Sequence, residues 1–136
     1  MSQRPERSNV YKQKKGLTAL IVDDLSINRS VARIILERNN FKIHEAKNGK
    51  EALDRYHKLK PDVVLMDICM PIMNGIDAMK QIREFNKKDH TIPIIAYTSG
   101  EHDESISELM DQGFSEYLLK PFKEKDLFEK ISLFLP

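Results

Sequence analysis

A chain of 136 residues, 40% hydrophobic and 32% charged with a formal net charge of +1, fits one compact globular domain rather than several. Its longest apolar runs, such as Leu20-Ile21-Val22 and Val63-Val64-Leu65-Met66, fall far short of the ~20 residues a membrane span needs, and the polar, basic N-terminus offers no secretory signal. The single cysteine, Cys69, excludes an internal disulfide and suits a reducing, cytoplasmic setting.

The charge is unevenly spread. Residues 1–16 hold Arg4, Arg7, Lys12, Lys14 and Lys15 against Glu6 alone, so the rest of the chain is mildly acidic. The first 16 residues are expected to be a disordered basic leader or linker, and residues 17–136 the folded domain. An acidic domain is a poor direct binder of nucleic acid, whose affinity for proteins rests on neutralised phosphates.

From Gly16 onward, short apolar runs alternate with longer amphipathic stretches. Leu17–Val22 reads as a strand ending at Asp23-Asp24. A helix follows with Ile27, Val31, Ile34 and Ile35 at helical spacing and Ser26 as N-cap. Phe41–Ala46 alternates apolar and polar, as an edge strand does. Asn48 with Glu51 starts a second helix, bearing Ala52, Leu53 and Tyr56. Asp62–Met66 is a buried strand that delivers Asp67 at its end, and a loop through Met70-Pro71 and Gly75 leads to a helix with Ile76, Met79 and Ile82. Ile92–Tyr97 is a fourth strand, with Pro93 near its start. A short helix around Ile106, Leu109 and Met110 closes at Gly113. Tyr117–Leu119 is the fifth strand, ending at Lys120-Pro121, and the last helix is expected to bury Leu127, Ile131 and Phe134.

Five strand–helix units imply an α/β fold: three layers, a doubly wound five-stranded parallel sheet with helices on both faces. The alternating second strand reads as an edge and the continuously apolar first, third and fourth as central, which is the flavodoxin-like order 2-1-3-4-5. In such a sheet, ligands bind at the carboxyl ends of the strands. There this sequence places Asp23, Asp24, Asp67, Thr98 and Lys120. Three crowded carboxylates repel one another, and an oxygen-seeking cation such as Mg²⁺ relieves the repulsion. A hydroxyl and a lysine beside a metal-bound carboxylate supply what a phosphoryl group needs, a donor and a positive charge.

Val22-Asp23-Asp24, Met66-Asp67-Ile68-Cys69-Met70-Pro71, Asn74-Gly75, Tyr97-Thr98 and Tyr117-Leu118-Leu119-Lys120-Pro121-Phe122, in this order and spacing, resemble the receiver domains of two-component signalling across residues 17–135. The resemblance implies that Asp67 accepts a phosphoryl group. It implies that Asp24 binds Mg²⁺ directly, Asp23 mostly through water, and that the backbone carbonyl of Cys69 is a further ligand. Lys120 would pair with the phosphoryl group, Thr98 would bond one of its oxygens, and Tyr117 would be the aromatic that moves inward when Thr98 shifts. The Lys120-Pro121 peptide would be cis. The donor would be a histidine kinase or histidine phosphotransfer protein, and the output a partner reading the face of the fourth helix, fifth strand and fifth helix. The same face is where the resemblance would place a homodimer contact. The result is a switch that assists its own phosphorylation and not a multiple-turnover enzyme.

Other classes fit less well. A phosphatase with an aspartyl nucleophile wants its second acid two residues on, whereas Asp23 and Asp24 are adjacent. A flavin or dinucleotide site wants a Gly- or Ser/Thr-rich loop after the first strand, and no GxGxxG occurs. A receiver-like interaction module that works without phosphorylation is the remaining alternative, and the complete set of rim residues speaks against it. His44, His57, His90 and His102 lack metal-ligand spacing and read as surface residues, while Met66, Met70, Met73 and Met79 read as packing. Cys69 and Gly100, two residues beyond Asp67 and Thr98, neither position nor acidify a water, so they are not expected to hasten loss of the phosphoryl group.

Overall fold

The computed structural model describes residues 16–85, 92–100 and 104–135; the basic leader, His90 and His102 lie outside them. The described residues form strands β1 (Thr18–Val22), β2 (Lys42–Ala46), β3 (Val63–Met66), β4 (Ile94–Thr98) and β5 (Glu116–Leu119). The helices are α1 (Ser26–Glu37), α2 (Gly49–Leu59), α3 (Gly75–Phe85), α4 (Ile106–Gln112) and α5 (Glu124–Ile131). All strand pairings are parallel, in the order β2-β1-β3-β4-β5, as expected from the edge-like β2 and the apolar β1, β3 and β4.

Alternation along the strands builds two cores. Leu20, Val22, Val64, Met66, Ile94 and Ala96 face α2, α3 and α4, meeting Ala52, Tyr56, Met79, Ile82 and Leu109. Ala19, Ile21, Val63, Leu65, Ile95, Tyr97 and Leu118 face α1 and α5, meeting Ala32, Ile35, Leu36, Leu127, Phe128 and Ile131. Both faces of the sheet are thus buried, which is why its central strands carry unbroken apolar runs.

Local signals behave as their chemistry requires. Asn48 Oδ1 accepts from the Glu51 N–H at 2.9 Å, while Glu51 Oε1 reaches back to the Lys47 N–H at 2.9 Å. Ser105 and Glu108 form a full capping box at α4, and Gly113 ends that helix at φ 132°, a conformation only glycine adopts easily.

Four expectations are corrected. Leu25, not Ser26, occupies the N-cap of α1, and Ser26 is its first helical residue. Of the row Ile27, Val31, Ile34 and Ile35, only Ile35 is buried; the other three are exposed, and the core side of α1 is Ala32, Ile35 and Leu36. The helix is apolar on both flanks, so spacing alone picked the wrong one. Helix α5 ends at Ile131, and Phe134 is exposed in the turn beyond it instead of buried with Leu127 and Ile131. His44 is half-buried on β2 rather than on the surface, whereas His57 is exposed. Among the described residues, no helix is long and apolar enough to cross a membrane.

Candidate functional site

The rim is fixed by backbone hydrogen bonds that continue the sheet beyond the strands. The Asp23 N–H donates to the Ala46 carbonyl at 3.1 Å, Asp67 to Val22 at 2.9 Å, and Lys120 to Thr98 at 2.8 Å. These carry Asp23, Asp67 and Lys120 to one end of the sheet. Carboxylate oxygens of Asp23, Asp24 and Asp67 lie within 4.8 Å of one another, a spacing that could hold a metal ion. Asp23 is fully buried and Asp67 nearly so, while Asp24 is open to solvent. One acid thus faces the solvent side and the other two are held from within.

Lys120 joins them from β5. Its Nζ donates to Asp23 Oδ2 at 2.6 Å and stands 3.6 Å from Asp67 Oδ1. The Lys120-Pro121 peptide is cis, as the resemblance implies. Thr98 is buried at the end of β4, its Oγ1 accepting from the Gly100 N–H at 3.3 Å. Cys69 is exposed, two residues beyond Asp67. Tyr117 is not gathered with these groups. It is half-buried near the start of β5, with Lys130 Nζ 4.6 Å above its ring.

Burial pushes Asp67 up to about 6; Lys120 opposes the rise, and Asp23 and Asp24 add to it. Burial works the same way on Asp23, but there the Lys120 ammonium and the Leu25 N–H outweigh it and hold Asp23 below the usual carboxylate range. Adjacent acids are thereby driven apart, a pattern common at functional sites. Asp23 is the ionised counter-ion of Lys120, and Asp67 is the poised one.

Two neighbours were missed as site residues in the sequence. Arg29 of α1 donates from Nη1 to the Asp23 carbonyl at 2.7 Å. Its Nε is anchored by Glu45 Oε1 at 2.7 Å, and Arg33 Nε holds the other Glu45 oxygen at 2.6 Å. Nothing in residue order announces this clasp, because it joins α1 to β2 across the fold. Tyr97 is the other. Its ring is buried on the α1/α5 side of the sheet, with Lys120 Nζ 4.5 Å from the ring centroid. A tyrosine directly after the aliphatic run Ile94–Ala96 was the available signal, since a buried hydroxyl calls for a partner.

The ammonium competes with any cation for the same oxygens. Lys120→Met is therefore expected to tighten Mg²⁺ binding several-fold in calorimetric titration, and to cost about 2 kcal/mol of stability in chelator, because Asp23 stays buried without its counter-ion. Unchanged Mg²⁺ affinity would show that Lys120 and the metal site are independent.

The response regulator receiver domain family matches residues 19–132. The chain is 39% identical to Protein CcdB of Bacillus subtilis over 114 residues, covering 83% of this chain and 92% of that protein. It is 36% identical to the chemotaxis protein CheY of Thermotoga maritima over 118 residues, 86% of this chain and 96% of that one. Among solved structures, the CheX-CheY-BeF3-Mg complex of Borrelia burgdorferi contains a chain that superposes with a TM-score of 0.80 at 26% identity, covering 93% of this chain and 95% of that chain. With the order of its sheet, its rim and these matches in agreement, the chain belongs to the response-regulator receiver family.

Proposed function

We propose that the chain is a phosphoacceptor switch that takes a phosphoryl group onto Asp67 from a phosphohistidine of a histidine kinase or phosphotransfer protein. The observation that carries this reading is Lys120 Nζ poised between Asp23 and Asp67, beside three carboxylates close enough to share a cation. A carboxylate oxygen of Asp67 attacks phosphorus in line. The new O–P bond forms as the N–P bond of the phosphohistidine breaks, and the imidazole nitrogen keeps the electron pair. The product is an acyl phosphate, which water later returns to carboxylate and inorganic phosphate.

Asp23, Asp24, Asp67 and the carbonyl of Cys69 would hold a Mg²⁺ ion, whose charge would offset that of the transferred phosphoryl oxygens. Lys120 moves its ammonium onto those oxygens, and Thr98 turns its hydroxyl from the Gly100 N–H toward them. The move of Thr98 frees space for Tyr117, and the face of α4, β5 and α5 shifts between two arrangements that a partner, or a second copy, reads. The domain acts in the cytosol as a switch with one phosphoryl group per cycle, not as an enzyme on a free substrate.

The exposed row Leu25, Ile27, Val31 and Ile34 begins next to Asp24. Exposed apolar side chains repeated along one helix suit a protein contact, here with the helix that presents the phosphohistidine.

Intact-mass spectrometry after incubation with a small acyl phosphate or phosphoramidate and Mg²⁺ tests the reading. One phosphoryl group added to wild type, absent in Asp67→Asn and abolished by chelator, is the expected result. Equal addition to Asp67→Asn would move the acceptor elsewhere, and no addition from small donors or kinases would leave an interaction module.

A further inference from the structure

The three acids of the rim are not held alike. Asp23 and Asp67 are buried, whereas Asp24 is exposed, so the direction of its carboxylate rests on the backbone that launches it. That backbone is pinned on every side. The Asp23 N–H is tied to the Ala46 carbonyl at 3.1 Å, and Asp23 Oδ1 accepts from the Leu25 N–H at 2.9 Å. The carbonyl of the Asp23–Asp24 peptide accepts from Arg29 Nη1 at 2.7 Å.

Arg29 is in turn held. Its Nε donates to Glu45 Oε1 at 2.7 Å, and Arg33 Nε donates to Oε2 of the same carboxylate at 2.6 Å. The Arg29 side chain is only 12% exposed, so this is a short charge-assisted bond shielded from water, not a loose surface pair. A single planar guanidinium therefore joins the edge strand β2 to the peptide ahead of Asp24, with its two donors fixed relative to each other.

We propose that Arg29 is a positioning residue for the metal site: braced by Glu45, it fixes the Asp23–Asp24 peptide and so the direction from which Asp24 meets a cation. This rests on the Mg²⁺ part of the phosphoacceptor reading and deepens it. The choice of ion is what such a brace sets. Mg²⁺ demands near-octahedral oxygens at ~2.0–2.1 Å, whereas Ca²⁺ accepts more oxygens at looser distances. A rim whose exposed ligand is fixed favours Mg²⁺, and a rim whose Asp24 swings loses Mg²⁺ first.

The test is calorimetric titration of the intact chain with MgCl₂ and, separately, CaCl₂, on wild type and Arg29→Lys. Lysine keeps the positive charge beside the acids, but its single ammonium cannot span Glu45 and the Asp23 carbonyl as the guanidinium does. Mg²⁺ affinity should fall about tenfold, while Ca²⁺ affinity stays within about threefold of wild type. Equal losses for the two ions would show that Arg29 serves only the fold or the local charge. Mg²⁺ affinity within about twofold of wild type would show that Asp24 needs no brace; either result overturns the proposal. Should Arg29→Lys fail to melt cooperatively in chelator, Glu45→Gln carries the same test. The amide keeps the shape but turns its NH₂ toward one of the two arginines, so Mg²⁺ should again weaken more than Ca²⁺, by about threefold, and an equal change overturns the brace. Wild type that binds no Mg²⁺ overturns the metal part of the phosphoacceptor reading, and this proposal with it.

Discussion

In chelator at pH 7.5, Asp67→Asn is expected to melt about 5 °C above wild type. Burial and its acidic neighbours hold Asp67 at about 6, whereas an unfolded aspartate titrates near 4. A carboxyl with a higher pKa in the folded state keeps its proton longer there. Between pH ~4 and ~6 the folded state therefore binds the extra proton, and wild-type stability falls as pH rises through that window. Above it the folded protein carries the full cost of an ionised Asp67, about 1–2 kcal/mol once partial access to water is allowed for. Asparagine removes the charge and keeps the shape. The gap between the two proteins should thus be small near pH 4 and full above pH 6, a profile that thermal melts in a pH series will display. Mg²⁺ should then reverse the order, because an ion held by the folded acid cluster of wild type would stabilise it by mass action. A gap that is flat with pH would show that Asp67 is ionised at no cost.

Gly75→Ala is expected to cost about 3 kcal/mol, lowering the urea midpoint by about 1–2 M. A Cβ built on Gly75 would stand 1.9 Å from the Asp67 carbonyl oxygen and 2.9 Å from Met66 Cγ. The first of these is backbone at the end of β3, and the Gly75 N–H is itself tied to the Ile68 carbonyl at 2.9 Å, so neither side can give way cheaply. Whatever movement does occur displaces Asp67, so phosphoryl uptake should fall along with stability. A wild-type urea midpoint would mean that the start of α3 slides freely against the end of β3. The close approach explains the glycine after Asn74 in physical terms: the loop returns from the rim so tightly that no side chain fits.

Much of the fold was legible because its signals are local. Continuous apolar runs bounded by turns identified β1, β3 and β4 as central strands, and the alternation in β2 identified an edge. Those boundaries put Asp23, Asp24, Asp67, Thr98 and Lys120 at the carboxyl ends of four different strands, which are separated by up to 97 residues in sequence yet gather at one rim. The cap of α2 at Asn48 and the end of α4 at Gly113 were likewise set by residues within a turn of one another.

What the sequence by itself determined, then, is the order of the strands and the identity of the residues at their ends, because periodicity and turn chemistry act over a few residues. Only the tertiary structure decided which flank of α1 meets the core, since Ile27, Val31 and Ile34 look as apolar as Ala32, Ile35 and Leu36 until the sheet is there to choose between them. It also decided that Phe134 stays outside α5, that Lys120 rests on Asp23 rather than Asp67, and that Arg29 clasps the Asp23 carbonyl. Each of these is set by the distance between segments far apart in the chain, and that distance exists only once the two cores have closed around the sheet.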